Sequence, residues 1–193
     1  MRKIIIFVIL ISFSSCNTNH FVLYNSDKTN GLDFSNGKWL MGNIDVNSHF
    51  KEELTELAIK NFESHLGERV KYALNEKSLL IANKVPTEPS KAEIEKLRIG
   101  TGYDYYINIK CQNSRNDISD FKLIEHNYYL KQMSFAQIIV EVYDLKAGKT
   151  IYTQTARGNI DENASITSRP MYNVIMGCYK KIWDDIEKKS LKQ

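Results

Sequence analysis

Apolar residues recur at helical spacing over residues 50–66, where Phe50, Leu54, Leu57, Ala58, Phe62 and Leu66 form one stripe that stops at Gly67. A stripe of that width predicts a helix buried along one face, and Asn47 and Ser48 just ahead of it can cap its free amides. Before it, residues 38–46 read as a strand, with Trp39, Met41 and Asn43 on one side and Leu40, Gly42 and Ile44 on the other. After it, Val70, Tyr72 and Leu74 alternate with Arg69, Lys71 and Ala73, the pattern of a short half-buried strand. Leu79–Val85 is apolar without a clear period, and Pro86 and Pro89 mark a break. Ser90 and Glu93 then make a capping-box pair for a second helix through Ile94 and Leu97, with Gly100 as its expected stop.

Residues 103–111 predict a strand with one buried face, since Tyr105, Ile107, Ile109 and Cys111 alternate with Tyr106, Asn108 and Lys110. A polar excursion follows to about Met133. Residues 134–144 and 149–160 predict a hairpin, with Ala136, Ile138, Val140 and Val142 inward and Lys146, Ala147 and Gly148 at the turn. Pro170 opens a last helix, whose stripe is Met171, Val174, Ile175, Cys178, Ile182 and Ile186. This order predicts a single α+β (α/β) domain: a mixed β-sheet of about five strands covered by three helices.

The first sixteen residues, MRKIIIFVILISFSSC, form a different pattern. Two basic residues, an apolar run from Ile4 to Phe13 and small Ser14 and Ser15 make a signal peptide. The run is too short for a permanent span, which needs about 20 residues. Small residues followed by cysteine resemble the bacterial lipobox, with Phe13 in place of the usual Leu, which makes Cys16 the acylated first residue of the mature chain. The organisation expected is therefore a signal peptide over 1–15, a lipidated cysteine and tether over 16–37, and a periplasmic domain over 38–193. Asn, Ser, Asp and Gly dominate residues 17–37, so a flexible tether would hold the domain some 25 Å from the bilayer. Phe21–Tyr24 interrupts this composition and offers the alternative of an edge strand docked on the domain. No acidic residue directly follows Cys16; by resemblance to lipoprotein sorting, this implies the outer membrane, facing the periplasm.

Composition narrows the functional classes. Apolar residues make up 42% and charged residues 25% of the chain, the make-up of a folded domain. Without Arg2 and Lys3, basic and acidic residues nearly balance and are interspersed, so the concentrated basic face of a nucleic-acid binder is missing.

Two stretches carry a family resemblance: GTGYDYYINIK over 100–110 and VEVYDLKAGKTIY over 140–152. They resemble the periplasmic domains of the curli-secretion lipoprotein, the lipoprotein activators of penicillin-binding proteins and the amino-terminal domain of TolB. Gly102-Tyr103-Asp104 matches the group's helix-to-strand step, and Asp144 with Gly148 matches its hairpin. The resemblance implies a module for assembly or recognition, without a shared catalytic residue or cofactor. One branch of the group builds a pore from extra apolar hairpins; Arg115, Asp117, Asp120, Lys122, Glu125, His126 and Lys131 make the excursion here too polar for that role.

Candidate chemistry is sparse. Cys111 and Cys178 lie on inward faces, so they are either two small core residues or a disulfide. His20, His49, His65 and His126 show no metal-ligand spacing, and no metal or other cofactor is expected. Tyr128 and Tyr129 beside His126 are the most site-like group, because tyrosine offers interfaces a rigid surface with a polar tip. The first expectation is an envelope lipoprotein without catalysis that meets another envelope protein through Tyr128, Tyr129 and His126. A small-molecule or glycan binder is the alternative, and a hydrolase would require a buried triad around His126. Oligomeric state is left open by the sequence.

Overall fold

The protein is described by a computed structural model over residues 21–25, 30–46, 48–77, 79, 84–114, 135–159 and 168–190. Strands β1 (Phe21–Leu23) and β2 (Trp39–Met41) precede helix α1 (Ser48–Leu66) and strand β3 (Val70–Tyr72). Helix α2 (Lys91–Thr101), strands β4 (Tyr105–Ser114), β5 (Phe135–Asp144) and β6 (Lys149–Asn159), and helix α3 (Ser168–Ser190) follow. The six strands form one mixed sheet in the order β1-β6-β5-β4-β2-β3. β2 runs parallel to β3 and β4, while β4, β5, β6 and β1 are joined antiparallel. The three helices and the mixed sheet are those the periodicity predicts, with β1 as the additional strand.

One face of the sheet is covered by α1 and α3. Trp39, Met41, Ile107, Ile109, Ala136, Ile138, Val140 and Val142 meet Leu54, Ala58 and Phe62 of α1 and Val174, Ile175, Cys178, Ile182 and Ile186 of α3 in one buried cluster. Burying such side chains contributes roughly 1.5–3 kcal/mol each, so this layer dominates the stability. A second, smaller cluster lies on the other face. Leu40, Tyr106, Tyr143 and Leu145 pack there beneath Val85 and the α2 residues Ile94 and Leu97. Residues 103–111 were expected to bury one face only, yet Tyr106 and Asn108 are 3% and 4% exposed. The reason is that α2 closes over Tyr106 and the loop at Pro86 over Asn108, on the side that the polar alternation assigned to solvent.

Three boundaries differ from expectation. The α2 stop lies at Gly102 rather than Gly100: Gly102 adopts φ 68° and donates its N–H to the Arg98 carbonyl. β2 ends at Met41, which breaks the alternation and lets Ile44 join Trp39 and Met41 in the same cluster. β3 ends at Tyr72, and the following 3-10 turn buries Ala73 and leaves Leu74 56% exposed.

The alternative of a docked edge strand is the arrangement found at the start. β1 pairs antiparallel with β6, Val22 opposite Arg157. The Phe21 ring fills the space that a Cβ on Gly158 or Gly177 would occupy, so two glycines on different elements form its slot. Leu32 and Phe34 are packed as well. Leu32 is 2% exposed with its N–H on the Ser190 hydroxyl at 3.0 Å, and Phe34 lies 5.5 Å from the Trp39 ring and 4.9 Å from that of His65.

Candidate functional site

The side chains with chemical potential are gathered on the second face of the sheet. Asn108 on β4 and Glu141 on β5 are Cα partners across the strands, and Tyr143 follows two residues along β5 on the same side. Glu141 is fully buried. A buried carboxylate is costly unless its oxygens are satisfied, and here three donors converge on it. Tyr143 Oη donates to Oε2 at 2.7 Å, Asn108 Nδ2 to the same oxygen at 3.2 Å, and the Glu88 amide to Oε1 at 3.0 Å. Asn108 Nδ2 also donates to Tyr143 Oη at 2.9 Å and to the Pro86 carbonyl at 3.3 Å. Burial, reinforced by Glu141, pushes the Tyr143 hydroxyl far above its ordinary value, so it stays protonated and keeps donating.

What this cluster holds is the loop with the two prolines. Glu88 has φ 52°, an unfavourable backbone for a residue with a Cβ, and its amide is the group that Glu141 captures. Lys110 Nζ adds a bond to Thr87 Oγ1 at 3.0 Å. The loop in turn supplies Val85 to the second cluster beside α2. Glu141 is thus a brace from β5 to a strained loop. The alternation of residues 140–143 placed it on the polar side of the strand; the pairing of Asn108 with Glu141 across β4 and β5 was the signal available for it.

A second buried brace lies under α3. Asp185 accepts from Tyr152 Oη at 3.1 Å and from Gln154 Nε2 at 3.2 Å, and forms an ion pair with Lys189 at 2.9 Å. Burial would raise the Asp185 carboxyl, but Lys189, Gln154 and Tyr152 together hold it below its ordinary value. Gln154 Oε1 also accepts the Asn25 amide at 3.0 Å, which ties the end of β1 to the same group.

The residues of the resembling motifs take structural roles. Asp104 accepts from the Lys38 amide at 2.8 Å and pairs with Lys146 at 2.7 Å, joining the entry of β2 to the β5–β6 hairpin. Lys146, followed by the Lys38 amide, keeps its carboxyl below the usual range. Asp144 accepts the Ala147 amide at 2.8 Å, and Gly148 takes φ 63°, the left-handed turn expected of it.

Of the candidates named from the sequence, Cys16, His126, Tyr128 and Tyr129 lie outside the described residues, and so does the stretch 115–134. Cys111 on β4 and Cys178 on α3 are free thiols, half-buried and buried. Cys178 Sγ sits 3.6 Å from the Ala136 carbonyl, and Cys111 pairs with Ile138 two residues along the same strand. Burial pushes each thiol up to about 12, which keeps both protonated and unreactive. His65 stacks on Phe34 and lies 3.8 Å from Glu187, a packing role. Among the described residues no group of His, Cys, Asp or Glu could hold a metal ion, and no helix is long and apolar enough to cross a membrane.

An open cleft of about 300 Å³ remains at the β3 edge, between that strand and α1. Met41, Ile59 and Val70 form its apolar floor, and Glu63, Lys71, Tyr72 and Glu76 its polar rim. Among the described residues β3 has a sheet partner on one side only, so a backbone edge lies beside this cleft.

No family model matches the chain, and no curated protein matches its sequence. Among solved structures, it is similar to the PelC dodecamer from Paraburkholderia phytofirmans at 8% identity and TM-score 0.48, covering 88% of this chain and 97% of that one. It is similar to the hypothetical protein CT253 from Chlamydia trachomatis at 11% identity and TM-score 0.47, covering 82% and 100%. Lipoprotein GNA1162 from Neisseria meningitidis is similar at 14% identity and TM-score 0.42, covering 75% and 95%. Likeness at this level assigns the chain neither a family nor an activity.

Proposed function

We propose that this chain is an outer-membrane lipoprotein, acylated at Cys16, whose periplasm-facing domain recognises another envelope protein without transforming it. The observation that carries the reading is the use made of the buried carboxylates. Glu141 and Asp185 are each surrounded by donors from the fold itself, spent on holding a loop and a helix in place. A general acid or base must instead have a lone pair or proton within reach of a substrate. The signal peptide and lipobox-type ending supply the address, and the resemblance to periplasmic assembly domains supplies the class of partner.

Two surfaces are offered for the contact. The polar stretch with His126, Tyr128 and Tyr129 is the one read from the sequence. The β3 edge with its charged rim is the one read from the fold, since an unpaired strand edge beside a cleft suits an added peptide strand. The test is crosslinking in cells followed by mass spectrometry of captured proteins. Partners should be lost in Tyr128→Ala/Tyr129→Ala or in Lys71→Glu/Tyr72→Ala; a profile unchanged in both would refute the recognition role for these surfaces.

The cleft also favours a second reading, a small-ligand binder, because its volume of about 300 Å³ reaches the lower end for ligand pockets. A thermal-shift screen of short glycans and charged metabolites addresses it. A stabilising ligand whose effect disappears in Lys71→Glu would replace the protein-recognition reading with this one.

A further inference from the structure

The chain between Cys16 and the sheet is short. Only residues 17–20 separate the cysteine from Phe21, and β1 is pinned on β6 by its ladder and by the Phe21 ring in the slot of Gly158 and Gly177. Five peptide steps reach about 18 Å at full extension, less than half the width of a folded domain of this length, roughly 40 Å. Whatever holds Cys16 must therefore lie next to the β1 edge. The opposite edge, β3, is five strand spacings away, or about 24 Å.

The side chains at the β1 edge suit such a neighbour. Among the described residues the exposed large apolar side chains are Val22, Tyr24, Leu74 and Ile99. Val22 and Tyr24, at 53% and 56% exposed, are two residues apart on β1 and its extension, so they share one face. Leu74 follows β3, at the other edge of the sheet, and Ile99 lies on α2, which packs over β2, β4 and β5. Arg157 stands opposite Val22, with its guanidinium 3.8 Å over the Phe135 ring, a cation held on the same face as the apolar pair. An aliphatic side chain, a tyrosine and an arginine together match the boundary between acyl chains and phosphate headgroups.

Building on the acylation of Cys16, we propose that the β1 edge is a membrane-contact face. Val22 and Tyr24 rest in the headgroup layer of the leaflet that holds the lipid, and the β3 edge with its cleft points away from the bilayer toward partners.

The full chain is expressed in cells, purified in detergent and reconstituted into phosphatidylethanolamine and phosphatidylglycerol vesicles, with and without brominated acyl chains. Val22→Trp and, separately, Tyr24→Trp place a reporter on the face, and Leu74→Trp places one at the far edge, just after β3; the emission of Trp39 and Trp183 in the parent is subtracted. The mass of the amino-terminal peptide is measured in every preparation. With Cys16 acylated, the added emission at positions 22 and 24 is expected to fall with bromolipid while that at 74 is unchanged. Acylated protein in which positions 22 and 24 escape quenching, or in which all three are quenched alike, overturns the contact face and leaves the lipoprotein reading intact. A Cys16 without acyl mass overturns both.

Discussion

Removing the Tyr143 hydroxyl tests whether the Glu141 cluster holds the proline loop. In Tyr143→Phe the ring keeps its place in the second cluster, but Glu141 Oε2 loses its 2.7 Å donor and Asn108 Nδ2 loses its 2.9 Å acceptor. Glu141 Oε2 keeps Asn108 Nδ2, so what is lost is chiefly one hydrogen bond to a charged group, which contributes about 1.5–3 kcal/mol. With Glu141 fully buried, the expected loss is about 2–3 kcal/mol. For a domain of this size that lowers Tm by roughly 4–12 °C. Glu141→Gln should cost about as much, since its amide nitrogen turns a donor toward one of the three donors now on the carboxylate. The double variant should cost less than the sum, because both changes remove the same bond. Urea unfolding followed by tryptophan emission measures all three, with Thr153→Ala as the control. Thr153 is the Cα partner of Glu141 on β6 and carries none of the cluster's bonds, so its replacement should stay within about 0.5 kcal/mol. If Tyr143→Phe and Glu141→Gln also stay within that limit at an unchanged slope, the cluster does not brace the loop and the argument from spent carboxylates falls with it.

The other predictions concern the edges, the joints and the titrating groups. Gly177→Ala, which in an ordinary helix interior stabilises by up to about 1 kcal/mol, should here destabilise by expelling the Phe21 ring; faster amide exchange confined to β1 and β6 would show it, and a stabilised protein would refute it. Asp104 is held below its ordinary value by Lys146 and then by the Lys38 amide, so its contribution is present above the unfolded carboxylate pKa and lost as pH falls through the folded one. Asp104→Asn should therefore destabilise by about 1–2 kcal/mol at neutral pH and converge with wild type in acid, measured by urea midpoints along a pH series. Burial raises Tyr106, Tyr143, Tyr152 and Tyr179 far above the ordinary tyrosine value of 10.0, so the unfolded chain releases those protons first and stability should fall as pH rises beyond that value. A final step of phenolate absorbance that rises together with unfolding, after that of the exposed tyrosines, is the expected result. Cys178 should resist alkylation in the folded state and react in denaturant without reductant; a requirement for reductant would establish a disulfide with Cys111 instead.

The helices were legible because a single face is buried in each, and a stripe such as Phe50, Leu54, Ala58 and Phe62 survives whatever packs against it. The hairpin was legible for a local reason: Asp144 and Gly148 carry their turn within five residues. What escaped reading depends on pairs far apart in the chain. Glu141 looks like a solvent-facing residue until α2 and residues 84–90 are laid over it, contacts separated by some fifty positions. Phe21 looks like an apolar accident in a polar tether until Gly158 and Gly177 open a slot for it. Periodicity reports how many faces of an element are buried only when the covering layer is already known, and that layer is set by tertiary order.

The two glycines make this dependence specific. A Cβ at position 158 would meet Val174 Cγ1 at 2.7 Å and the Phe21 ring at 2.9 Å, so β6 and α3 can be this close beside β1 only without side chains there. Glycine in a strand and in a helix interior each weakens its own element by roughly 0.5–1 kcal/mol. Both costs fall at one point, and the return is the docking of three residues of strand. Such a slot adds little to a core that already buries α1 and α3, so its value lies in where it puts the chain's start. It converts a flexible leader of some twenty residues into a reach of about 18 Å. On the proposed acylation of Cys16, a domain with that reach has its β1 side next to the bilayer, and the cleft at the β3 edge lies on the opposite side.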